Sequence, residues 1–212
     1  MKNTLIHLVT AALVAAFAVP AAQAATVYDS LGSAQAGADP VMSFGPLAIS
    51  FNSGAAGGLL TSVSALLKSD SADLVGNLSL TLMADQGMQP GVTIAALGML
   101  SSAAISTADF AAYSFGSLAP VKLAANTTYW IEIAAASPVA VEWSWSTDQT
   151  ALGVAGQASY SQEFGVLMNS DAGAYQAAIG VSAVPEPASY LLCAFGLAAV
   201  GLGAARRSKA AR

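Results

Sequence analysis

Glu132 and Glu142 stand in two consecutive runs of alternating apolar and polar residues, 129–133 and 139–145. Two carboxylates held about 5–10 Å apart can hydrolyse a glycoside, one as acid and the other as base or nucleophile. Alternation sets Glu132 opposite Ile131 and Ile133, and Glu142 opposite Val141 and Trp143. An antiparallel hairpin of the two runs would point both acids outward, so two solvated surface residues are the simpler reading. A second chemistry is calcium binding. Asp70-Ser71-Ala72-Asp73 followed by Gly76-Asn77 is the most oxygen-rich stretch, with Asp85 and Asp148 in other loops. Calcium takes about six to eight oxygens, several from carboxylates. No Asp-x-Asp-x-Asp loop is present. The expectation is therefore a solvated turn and no metal, with Asp70 and Asp73 the residues to inspect. A third chemistry is stacking on sugar rings. Trp143 and Trp145 share the side of Val139 and Val141, which reads as core. Trp130 falls on the other side with Glu132; it is the better candidate for an exposed ring, and these two are the candidate glycan contacts.

Other chemistry is excluded by what the middle of the chain lacks. The only histidine is His7 and the only cysteine is Cys193. Ser-His-Asp or Cys-His catalysis, thiolate or imidazole zinc sites and disulfides have no residues to use between 25 and 184. No cofactor is expected. That stretch holds two lysines and no arginine against eleven acids, a net charge of −9. A phosphate backbone would be repelled, so nucleic acid is excluded as a partner.

The elements that would position these residues read as strands. Leu78, Leu80 and Leu82 alternate with Ser79, Thr81 and Met83; Tyr129, Ile131 and Ile133 alternate with Trp130 and Glu132. Breaker-rich turns separate the runs, notably Asp85-Gln86-Gly87-Met88-Gln89-Pro90-Gly91 and the turn at Asn126. Residues 97–108, rich in Ala and Ser, are the one ambiguous stretch. Roughly nine short strands in about 160 residues predict an all-β domain, an antiparallel jelly-roll-like β-sandwich.

The chain has 212 residues, 55% hydrophobic and only 9% charged, against about 25% charged in an ordinary soluble domain. The excess lies partly at the two ends. Lys2, the apolar run 5–19 and Ala22-Gln23-Ala24 form a signal peptide over residues 1–24, cut before Ala25. Export by the secretion translocon and cleavage by signal peptidase follow. The β-sandwich ectodomain is then expected over residues 25–183. Val184-Pro185-Glu186-Pro187 is extended, because two prolines restrict their neighbours. Residues 188–205 carry no charge, and as a helix they reach about 27 Å, enough for a thin bilayer. Arg206, Arg207, Lys209 and Arg212 then form a basic stop that keeps the tail in the cytoplasm.

Pro185-Glu186-Pro187, an apolar span and a terminal basic cluster together resemble the PEP-CTERM sorting signal of Gram-negative bacteria over residues 184–212. The resemblance implies recognition by an exosortase, a membrane-embedded transpeptidase-like enzyme. It implies an inner-membrane anchor before processing, then placement at the cell surface or outside the cell. It also implies an association with exopolysaccharide, the extracellular matrix and biofilm. A second resemblance covers roughly residues 59–146. The Asp85–Gly91 turn and Leu123-Ala124-Ala125-Asn126-Thr127-Thr128-Tyr129-Trp130 are similar to motifs of the choice-of-anchor R ectodomains. That resemblance implies a secreted β-sandwich with no established enzymatic activity and no catalytic residues. The leading expectation is thus a structural or adhesive surface protein, not an enzyme. A carbohydrate-binding module, with or without calcium, is the alternative, and a carboxylate glycosidase the weaker one.

Overall fold

A computed structural model describes residues 24–115 and 120–182. Residues 1–23 of the expected signal peptide, Ala22 among them, the 184–187 motif, the expected membrane helix and the basic tail lie outside the described residues. The chain passes through β1 (Ala24–Asp29), β2 (Gly37–Pro40), a helical turn α1 (Val41–Phe44) and β3 (Leu47–Asn52). β4 (Gly58–Ser69), β5 (Asn77–Asp85), β6 (Pro90–Ser101) and the 3-10 turn η1 (Ser102–Ala104) follow. Next come β7 (Ala111–Ser114), β8 (Val121–Leu123), β9 (Thr128–Ala135) and β10 (Val141–Ser146). Then come β11 (Ala158–Ser161), β12 (Gly165–Met168), a helical turn α2 (Asn169–Ala172), β13 (Ala174–Tyr175) and β14 (Ala177–Ser182).

The strands form two antiparallel sheets. The eight-stranded sheet A runs β1-β14-β4-β10-β13, with β2 on β10 and β7 and β8 on β4; the six-stranded sheet B runs β12-β11-β3-β9-β5-β6. This is the all-β sandwich that the alternation predicts. Sheet B turns Leu47, Ile49 and Phe51, Leu78, Leu80 and Leu82, and Ile131 and Ile133 inward. Sheet A supplies Val63, Leu67, Val141, Trp143, Ile179 and Val181 to the same core. Trp143 stacks on Tyr175 with ring centroids 4.8 Å apart. The ambiguous 97–108 stretch resolves into the end of β6 and η1, where the Ser101 hydroxyl accepts the Ala103 N–H.

One topological expectation is corrected. The runs bearing Glu132 and Glu142 do not form a hairpin. β9 pairs with β3 and β5 in sheet B, whereas β10 pairs with β2, β4 and β13 in sheet A. The loop between them crosses from one sheet to the other, so the two carboxylates belong to different layers. The physical reason is that alternation fixes which face a residue takes within its own strand and carries no information about which strand lies beside it.

Candidate functional site

Trp130 is the second correction. It lies on the outer face of sheet B, as alternation predicts, yet it is 0% exposed. Its register neighbours are Ser50 on β3 and Met83 on β5. With Ala48 and Ala158 it forms a second small core, against which Met83, Tyr160, Val166 and Met168 pack. Its indole Nε1 donates to Asp85 Oδ1 at 2.8 Å, and the Met88 N–H reaches Asp85 Oδ2 at 3.3 Å. Asp85 thus holds the β5–β6 turn and satisfies the buried indole together. That turn places Gly87 and Met88 at positive φ, 67° and 64°, a conformation strained for methionine. A cleft of about 240 Å³ beside the indole is bounded by Ser50, Asp85, Met88, Thr128 and Gln157. The ring itself offers no open face to stack on.

Glu132 stays on that outer face, half-buried between Ala48 and Thr81. Burial raises its carboxyl above the ordinary 4.5. Glu142 is also raised, first by burial and then by the Asp70 charge beside it, with Lys68 opposing. Lys68 and Asp70 stand 3.5 Å apart. Asp70 donates its N–H to the Ala140 carbonyl at 2.7 Å, and the Ser71 hydroxyl accepts from the Asp73 N–H at 3.2 Å. Asp70 and Asp73 therefore shape a turn. Among the described residues, no three His, Cys, Asp or Glu side chains come together to hold a metal. Asp148 is lowered by the Thr150 hydroxyl, then by the Thr150 N–H and the Ser33 hydroxyl.

Sequence reasoning missed a buried polar network that ties the two ends of the domain together. Gln176, 0% exposed, donates Nε2 to the carbonyls of Ser30 (3.1 Å) and Ser33 (2.7 Å), and its Oε1 accepts from the Ser144 hydroxyl at 2.5 Å. The Trp143 indole donates to the Gln176 carbonyl at 2.9 Å. Next to it, the Tyr175 hydroxyl donates to Asp39 at 2.6 Å, and the Tyr28 hydroxyl to the Tyr175 carbonyl at 3.3 Å. Burial, and then Asp39, push the Tyr175 phenol upward. The only signal was a glutamine interrupting the apolar run 174–181. Two tyrosines act similarly on loops. Tyr129 Oη accepts the Ala124 N–H at 2.9 Å, and Tyr113 Oη accepts the Ser106 N–H at 2.7 Å.

The network leads to one pole of sheet A. β1 pairs with β14, with Ala24 opposite Ser182 and Ala25 opposite Val181. On its other side β14 pairs with β4. Gly58, at φ 144°, lets β14 close in. A Cβ there would collide with the Ser182 carbonyl. Among the described residues, the expected signal-peptidase residues Ala24 and Ala25 thus open the ladder that Ser182 ends.

Residues 183–208 match the PEP-CTERM protein-sorting motif. The chain carries an exosortase sorting signal. The match starts at the residue after β14 and contains Val184, Pro185, Glu186, Pro187, Arg206 and Arg207. The motif implies an exported protein, anchored in the membrane through its C-terminal segment before exosortase processing, that then reaches the cell surface. Comparison with curated proteins and with solved structures finds no match to this chain.

Proposed function

We propose that this protein is a structural or adhesive component of the bacterial surface or extracellular matrix, associated with exopolysaccharide or biofilm and performing no catalytic turnover. The observation that carries the reading is the sorting motif directly following the last strand of a β-sandwich. The residues that could do chemistry support a scaffold. Asp85 holds the Trp130 indole, Asp39 accepts from Tyr175, and Glu132 and Glu142 lie in different sheets. The choice-of-anchor R reading supports the same role, since the two segments that suggested it, the 85–91 turn and the 123–130 approach to β9, meet through Asp85 and Trp130. With few basic residues, the domain favours neutral, hydrogen-bonded contacts over ionic grip of acidic polymers. The buried Trp130 ring weighs against aromatic stacking as the mode of any glycan contact.

The test is a deletion strain complemented with the wild-type chain, followed by fractionation of membranes and extracellular matrix. The reading expects the processed protein to co-purify with the matrix, and the deletion to reduce matrix retention or cell aggregation. Protein absent from the matrix, with unchanged aggregation in the deletion strain, would contradict it.

A further inference from the structure

The last strand before the sorting motif is not an edge. β14 lies between β1 and β4, and its Ala177, Ile179 and Val181 are 0%, 0% and 3% exposed. Apart from a bridge between Asp29 and Leu152, β1 has its ladder with β14, so the start of β1 cannot pair until residue 182 has left the translocon. The expected signal-peptidase bond, Ala24–Ala25, lies between the first two rungs of that ladder. A bond inside a sheet is cut only from an opened state. It is therefore cut while the start of β1 is undocked.

The same ladder bears on the other cut. β14 ends at Ser182 and the motif match starts at residue 183. Only residues 183 and 184 separate Ser182 from Pro185, and three extended steps span about 10 Å. An enzyme that grips extended chain near the motif must therefore work against the docked end of β14. Once Ala24 has left with the signal peptide, Val181, buried and held opposite Ala25 and Leu60, and Ser182, held opposite Leu59, cannot be drawn into an active site without breaking pairs on both flanks of β14.

Resting on the sorting reading, we propose that docking of β14 against β1 restrains exosortase: the enzyme processes the fraction of molecules whose terminal β1–β14 rungs are open. The restraint couples release to the folding of sheet A. It keeps a completed domain on its anchor longer than an unfolded one.

The experiment follows tail loss from the full-length chain by pulse-chase in cells that carry exosortase. One variant inserts a spacer of about six Gly and Ser residues after Ser182, outside the fold. A second, Ala25→Cys with Val181→Cys, staples the ladder, since paired antiparallel residues lie at about 4.5–5.5 Å, within disulfide range. The spacer is expected to speed processing about tenfold, and the staple to slow it about tenfold until reductant is added. Wild-type processing with both variants at the wild-type rate would overturn the restraint alone. A wild-type chain that never loses its tail would overturn the sorting reading, and the restraint with it. Because the spacer leaves every strand intact, it decides the matter even if the stapled variant folds poorly.

Discussion

Trp130 in sheet B and Gln176 between two strands of sheet A are both fully buried, and the polar atoms of both side chains are partnered, yet they join different parts of the chain. Trp130 and its acceptor Asp85 lie within the sequence-internal strands β3 to β12 that make sheet B. Gln176 reaches from the last strands to the turn after β1 and to β10. Sheet B is therefore complete without either chain end. Sheet A needs both, and its internal strand β14, between β1 and β4, is the one joined to the sorting motif. By the proposal above, processing of the chain ends bears on sheet A and not on sheet B.

The largest expected effect comes from removing β14. A chain truncated after Gln176 leaves β1 unpaired and exposes one side of β4. Circular dichroism is expected to show no cooperative unfolding transition, whereas a native-like transition would mean that sheet A does not depend on its last strand. Trp130→Ala should come next, at about 3–5 kcal/mol, because it empties a closed secondary core. Gln176→Leu should cost about 3 kcal/mol by leaving the Ser33 carbonyl without its donor and the Ser30 carbonyl with the Ser33 N–H alone. Both are read as urea midpoints. If the contrast between the sheets holds, Gln176→Leu also accelerates tail loss in cells, while Asp85→Ala, expected to cost about 1–2 kcal/mol through the orphaned indole N–H, does not.

These variants also mark what the sequence made legible. The alternation of Leu78, Leu80 and Leu82, and of Ile131 and Ile133, was enough for the sandwich, since period two reports the buried face of a strand directly. It also placed Trp130 on the outer face. It could not show that Trp130 is buried with Ala48 and Ala158 in a second small core, because that depends on strands far away in sequence. The Glu132–Glu142 separation failed for the same reason. Partner choice is a long-range property, and a short loop between two strands does not make them neighbours when the chain crosses between layers. Asp85 was visible as a turn residue, but its hold on Trp130 was not. Gln176 was visible only as an oddity in an apolar strand.

The smallest effect concerns Glu132. Its folded carboxyl is raised above the ordinary 4.5 by burial. Its stabilising contribution is therefore present below about pH 4.5 and is lost as pH rises through the folded value. Glu132→Gln is expected to be more stable than wild type at pH 7, with the advantage vanishing near pH 4 when urea midpoints are compared. An advantage equal at both pH values would show that the carboxylate is not desolvated on the outer face of sheet B.

The central claim is that the segment after β14 is a processed sorting signal rather than a permanent anchor. Intact-mass and membrane-fractionation analysis of the native protein, beside a variant with Pro185, Glu186 and Pro187 replaced by Ala, tests it most directly. The account predicts a released wild type lacking residues 188–212 and an uncut variant retained in the membrane. A wild type that keeps its tail and stays in the membrane would contradict it.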